Sequence, residues 1–129
     1  MLYKKHTVLI VDDDPATVEV LKKMNERLGV GGIFTAHNGF DAIAVAVEQK
    51  PSIIFLDLTM PGFDGIQTLK MLKSIDITKE IDVVMVSGSI DHKNFATALK
   101  HGATDFISKP FKSEQLEVKF SEIASKPDK

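Results

Sequence analysis

Four apolar runs in this chain end on residues able to do chemistry. Val8-Leu9-Ile10-Val11 runs into Asp12-Asp13-Asp14, and Ile53-Ile54-Phe55-Leu56 runs into Asp57. Val83-Val84-Met85-Val86 is followed by Ser87, and Phe106-Ile107-Ser108 by Lys109-Pro110. Charged groups gathered at one edge are costly unless they bind something. Carboxylates with no thiol and no convergent histidines suit a hard cation with oxygen ligands, Mg²⁺ above all. Taken singly, the members say less. Asp12 and Asp13 alone read equally well as a solvated loop, Lys109 as surface decoration, and Ser87 as uninformative. Asp57 is harder to set aside, because an unpaired carboxylate at the end of a buried strand costs several kcal/mol. Asp14, directly before Pro15, reads as a helix cap and stays outside the site.

The elements must bring these residues together. Strands are expected at Thr7–Val11, Ile33–Ala36, Ile53–Leu56, Val83–Val86 and Phe106–Ser108. The first and third are continuously apolar, the pattern of strands covered on both faces in a parallel sheet. Helices are expected from Pro15 to Leu28, from near Gly39, from about Asp64 to Ser74, from about Ile90 to Lys100, and after Ser113. In the second helix Phe40, Ile43, Ala44 and Val47 fall at i, i+3, i+4 and i+7 and predict its buried face. Leu116, Phe120 and Ile123 do the same for the fifth. Five strand–helix units with right-handed crossovers give an open α/β sandwich, too few for an eight-stranded barrel. Ligands of such sheets bind beyond the carboxyl ends of the strands, where strand order reverses. The four chemically able strand ends all lie on that edge.

Composition narrows the function classes. The chain has 129 residues, 43% of them hydrophobic, enough for one core; a single domain is expected, with its core over about 5–124 and a polar tail over 125–129. The longest apolar stretch, Ala42 to Val47, is six residues, so no membrane span is expected. There are no cysteines, which excludes disulfides, thiolate metal sites and a cysteine nucleophile. A net charge of −2 with one arginine, Arg27, argues against nucleic-acid binding. A soluble cytoplasmic protein is the expectation. His6, His37, His92 and His101 are scattered and form neither a zinc set nor a relay. Lys93, Lys100 and Lys112 read with Lys109 as solvated helix surface.

In order and spacing, several landmarks are specific. They are Val8-Leu9-Ile10-Val11-Asp12-Asp13-Asp14-Pro15, Phe55-Leu56-Asp57-Leu58-Thr59-Met60-Pro61-Gly62-Phe63-Asp64-Gly65, Val86-Ser87-Gly88 and Gly102-Ala103-Thr104-Asp105-Phe106-Ile107-Ser108-Lys109-Pro110-Phe111. With them the chain, over about Lys5 to Ala124, resembles the response-regulator receiver domains of two-component signalling. The resemblance implies a flavodoxin-like (βα)5 open sandwich, a parallel five-stranded sheet of order 2-1-3-4-5 with helices on both faces. It implies that Asp57 is the phosphoacceptor for the phosphohistidine of a sensor histidine kinase or histidine phosphotransfer protein. Asp12, Asp13, Asp57 and the backbone carbonyl of Thr59 are implied as the Mg²⁺ (or Mn²⁺) site, Asp12 acting through a bound water. Lys109 and Ser87 would hold the phosphoryl oxygens, and the Lys109–Pro110 bond would be cis. Ser87 and Phe106 would form the switch that alters an output face of fourth helix, fifth strand and fifth helix, read by a downstream protein or output domain. The implied activity is that of a signalling switch with weak Mg²⁺-dependent self-phosphorylation and autodephosphorylation, not of an enzyme in the ordinary sense.

Departures from the family pattern are mild. Ser87 stands for the commoner threonine, and Phe106 where tyrosine is frequent. Thr59 and Ser89 occupy positions that tune acyl-phosphate lifetime in the family. Two other classes compete. A haloacid-dehalogenase-like phosphohydrolase would need a second aspartate where Thr59 stands, as well as a cap and greater length. A flavin carrier would have to seat an FMN phosphate against an acidic pocket.

Overall fold

The computed structural model describes residues 3–58, 64–88 and 92–125. Thr59, the Met60–Phe63 part of the landmark, Ser89, Ile90 and the tail 126–129 lie outside them. Five strands, β1 (Thr7–Val11), β2 (Gly32–Ala36), β3 (Ile53–Asp57), β4 (Asp82–Ser87) and β5 (Asp105–Ser108), alternate with five helices. The helices are α1 (Pro15–Leu28), α2 (Gly39–Gln49), α3 (Gly65–Ser74), α4 (His92–Lys100) and α5 (Ser113–Ala124). Every strand pair is parallel, and the order is β2-β1-β3-β4-β5. This is the doubly wound sandwich expected, and its order reverses between β1 and β3.

Side chains along a strand point alternately to opposite faces, so each apolar run feeds two cores. Leu9, Val11, Ile54, Leu56, Val83 and Met85 join α2, α3 and α4 through Ala42, Ala46, Leu69, Leu72 and Ala98. Val8, Ile10, Ile53, Phe55, Val84 and Val86 join α1 and α5 through Val18, Leu21, Leu116, Phe120 and Ile123. That division is why the runs are continuous rather than alternating. Truncating a side chain such as Phe55 or Phe120 to alanine costs about 3–5 kcal/mol.

The helix ends follow from their capping residues. The Asp14 carboxylate accepts from the Ala16 amide at 3.1 Å and the Thr17 hydroxyl at 2.9 Å, and Gly29 closes α1 in the left-handed region at φ 77°. Asp64 and Gln67 form a reciprocal capping box at the start of α3. The face expected for α2 is wrong by one position. Phe40 is 71% exposed and Ala44 also faces solvent, whereas Gly39, Ala42 and Ala46 are buried with Ile43 beside them. The same i, i+3, i+4, i+7 spacing fits this stripe, and two alanines let the helix lie close to the sheet. Among the described residues, no helix is long and apolar enough to cross a membrane.

Candidate functional site

β1 and β3 are neighbours, with Val11 in register with Leu56, so the residues just beyond them are neighbours too. Asp57 is the last residue of β3 and Asp12 the first beyond β1. One carboxylate oxygen from each of Asp12, Asp13 and Asp57 lies within 4.8 Å of the others. Asp12 and Asp57 are buried, 1% and 6% exposed, while Asp13 is open to solvent. Such a set of oxygen donors, without nitrogen or sulfur, fits a hard divalent cation.

Lys109 completes the cluster from the fifth strand. Its ammonium lies 3.0 Å from Asp12 Oδ2 and 3.7 Å from Asp57 Oδ1. Burial opposes the ammonium charge, but the hydrogen bond to Asp12 and the charges of Asp57, Asp12 and Asp14 together outweigh it. Lys109 therefore titrates above the ordinary lysine value. Asp12 Oδ1 meanwhile accepts the Asp14 amide at 2.9 Å, so both of its oxygens are engaged. Three carboxylates against one ammonium leave two negative charges, the amount one divalent cation neutralises.

The backbone fixes this edge. The Leu58 amide donates to Val86 O at 3.0 Å, and the Lys109 amide to Ser87 O at 2.7 Å, tying β3 and the fifth strand's exit to β4. The Lys109–Pro110 bond is cis, as the resemblance implied. Ser87 ends β4 at 3% exposure, one residue past the partner of Asp57. Phe106 pairs with Met85, two residues before Ser87, and its ring lies tilted against that of Phe95 of α4, with centroids 5.0 Å apart. Thr59, expected to offer its carbonyl, lies outside the described residues.

Two contributors had not been singled out. Gly65 opens α3 directly against the end of β3. A Cβ there would collide with the Asp57 carbonyl oxygen and come within 2.7 Å of Leu58 Cα. A glycine in the first turn of a helix, where it weakens the helix, is the signal that could have exposed this role. The second is Asp14, read only as a cap. Its side chain is a cap, held below the usual carboxylate range by Thr17 and Ala16, but its backbone amide serves Asp12.

An open sandwich with a carboxylate trio, a lysine and a buried hydroxyl at the edge where its strand order reverses defines an α/β module with a charged site at that edge. Comparison with known proteins agrees: the response regulator receiver domain profile matches residues 8–121. The chain is 34% identical over 111 residues to the chemotaxis protein CheY of Bacillus subtilis, covering 86% of this chain and 91% of that one. It is 36% identical over 110 residues to the phosphate regulon transcriptional regulatory protein PhoB of Pseudomonas aeruginosa, covering 85% of this chain but 48% of PhoB. The chain thus spans about half the length of several curated relatives it matches. Among solved structures, the receiver domain of NtrX from Brucella abortus superposes with a TM-score of 0.85 at 29% identity, covering 93% of this chain and 99% of that one. The chain belongs to the response regulator receiver domain family. A phosphorylation-dependent signalling role, rather than that of a classical enzyme, comes with that membership.

Proposed function

We propose that Asp57 accepts a phosphoryl group from the phosphohistidine of a sensor histidine kinase or histidine phosphotransfer protein. The observation that carries this reading is the buried Asp57 carboxylate at the strand-order reversal, with two further carboxylates and the Lys109 ammonium around it. An Asp57 oxygen attacks phosphorus, the P–N bond breaks, and its electron pair stays on the imidazole of the donor. Such a loose transfer needs position and charge more than covalent help. Lys109 shifts from Asp12 toward the phosphoryl oxygens, and the Ser87 hydroxyl donates to one of them. Asp12, Asp13 and Asp57, with the carbonyl of Thr59, would hold Mg²⁺ or Mn²⁺, which when bound supplies positive charge to those oxygens. The output is a changed face of α4, β5 and α5, with Phe106 turning as Ser87 moves. A downstream protein or an output domain reads it, in a bacterial cytoplasm. Weak self-phosphorylation and autodephosphorylation complete the cycle.

Acetyl phosphate with Mg²⁺ tests the acceptor. Intact-mass spectrometry should show one added phosphoryl group on the wild type and none on Asp57→Asn. Equal labelling of the two would refute the assignment.

A further inference from the structure

The chain holds three asparagines, Asn25, Asn38 and Asn94, and of these Asn38 alone precedes a glycine. An asparagine before glycine is open to attack on its side-chain carbonyl by the next backbone nitrogen, because no Cβ hinders ring closure. Asn25 and Asn94 lie inside α1 and α4 and are followed by the bulkier Glu26 and Phe95. Asn38–Gly39 is instead the junction between β2 and α2, and no step proposed at Asp57 uses it.

The local geometry both prepares this reaction and holds it back. Gly39 is the first residue of α2, so its N–H has no acceptor within the helix. Asn38 is the N-cap, and its Oδ1 accepts the Asp41 amide at 2.8 Å, a bond that draws electrons from the carbonyl carbon. Its Nδ2 donates to Asp41 Oδ2 at 3.0 Å, so residue 41 grips both ends of the side-chain amide. The Asn38 backbone is extended at φ −156° and ψ 170°, and closing a five-membered ring turns ψ away from that value. α2 cannot follow that turn while Gly39, Ala42 and Ala46 stay buried. Ring closure therefore waits for the first turn of α2 to open, a local event short of global unfolding.

We infer that Asn38 is a site of spontaneous, irreversible modification, gated by its own helix cap. The Gly39 nitrogen bonds to Asn38 Cγ, the Cγ–Nδ2 bond breaks, and the Gly39 amide proton leaves on the departing ammonia. Water then opens the succinimide at either carbonyl, giving aspartate or isoaspartate. Aspartate sets a second carboxylate where Nδ2 met Asp41, and isoaspartate adds a methylene to the backbone between β2 and α2. Two residues earlier, Ala36 O accepts the Asp12 amide at 3.1 Å, so the change falls beside the edge that carries the carboxylates.

The test ages the full chain in neutral buffer at physiological temperature, folded and in urea. Residue 38 is followed by peptide mass mapping, with fragmentation to tell isoaspartate from aspartate. Both products should appear at residue 38, faster in urea than in the folded chain, while Asn25 and Asn94 stay intact in the folded chain. Asp41→Ala removes the grip on Nδ2 and keeps the backbone bond to Oδ1, so the folded rate should rise roughly two- to tenfold. Asp41→Asn keeps an acceptor and should stay near the wild-type rate, and in urea the three chains should react alike. Residue 38 unchanged in urea would overturn the reaction itself. A folded chain that reacts as fast as the unfolded one, or a folded Asp41→Ala rate equal to the wild type, would overturn the gating by the cap.

Discussion

Replacing Lys109 with methionine removes the ammonium that lies against the buried acids while keeping an apolar side chain of similar length. At an effective dielectric constant of 20, unit charges at 3.0 Å and 3.7 Å attract by about 5.5 and 4.5 kcal/mol before desolvation is counted. Removing one partner of a fully buried pair typically costs about 3–5 kcal/mol, because the other charge stays behind unpaired. The Lys109 side chain is 25% exposed against 2% for Asp12, so water replaces part of what is lost. The loss should be about 2 kcal/mol in metal-free, low-salt buffer, a fall in melting temperature of roughly 6–10 °C for a domain of this size. Mg²⁺ should then narrow the gap. A cation that binds only the folded form stabilises it by about 1.4 kcal/mol at ten times Kd, and without a competing ammonium the variant binds it more tightly. The pH dependence has a definite sign. The folded pKa of Lys109 is raised above its unfolded value of 10.5, so its contribution is complete below that pH. It is lost only as pH rises through the raised value. The wild-type advantage should be flat across neutral pH and close in strongly alkaline solution. Circular-dichroism melts in EDTA and in Mg²⁺ decide the matter. A variant that melts with the wild type in EDTA, or a deficit that Mg²⁺ leaves unchanged, would refute the reasoning.

Two other substitutions probe the frame. Gly65→Ala must push α3 away from the end of β3, since its Cβ meets backbone atoms of Asp57 and Leu58. It should cost about 2–4 kcal/mol and lower the yield of phosphorylated Asp57, read by thermal melting and intact mass. Asn25 is fully buried, and among the described residues its Oδ1 has no hydrogen-bond partner while Nδ2 bonds only Leu21 O of its own helix. Asn25→Leu should therefore raise stability by about 1–2 kcal/mol in urea unfolding, and a loss of stability would show that the amide is satisfied in solution.

Much of the site was legible because the physics at strand ends is local. A run such as Ile53–Leu56 has to be covered on both faces, and an acid at its end has to sit at the rim. Asp12, Asp57, Ser87 and Lys109 were singled out in this way. The side-by-side placement of β1 and β3 was not, since an apolar run does not name its neighbour; the strand order came from the family resemblance. The face of α2 was misjudged because large apolar residues were weighted above small ones. Phe40 and Ala42 both satisfy a helical period, and only packing against the sheet chooses the alanine. Phe95 and Phe106 are eleven residues apart on different elements, and nothing in either run announces that the rings meet.

The switch can be judged by comparing magnitudes. Driving a two-state equilibrium from 1:99 to 99:1 takes about 5.5 kcal/mol of differential affinity. A charge-assisted hydrogen bond from the Ser87 hydroxyl to a phosphoryl oxygen supplies roughly 1.5–3 kcal/mol. In the proposed switch, Ser87 alone would therefore fall short of a complete transition. The remainder must come from groups whose partners change on phosphorylation. Lys109, now 3.0 Å from Asp12, is such a group. When the phosphoryl oxygens take that ammonium, the buried Asp12 carboxylate loses its counter-charge and needs a divalent cation in its place. Metal binding and switching are then linked through Lys109, and the phosphorylated form should hold its cation more tightly than the resting form does.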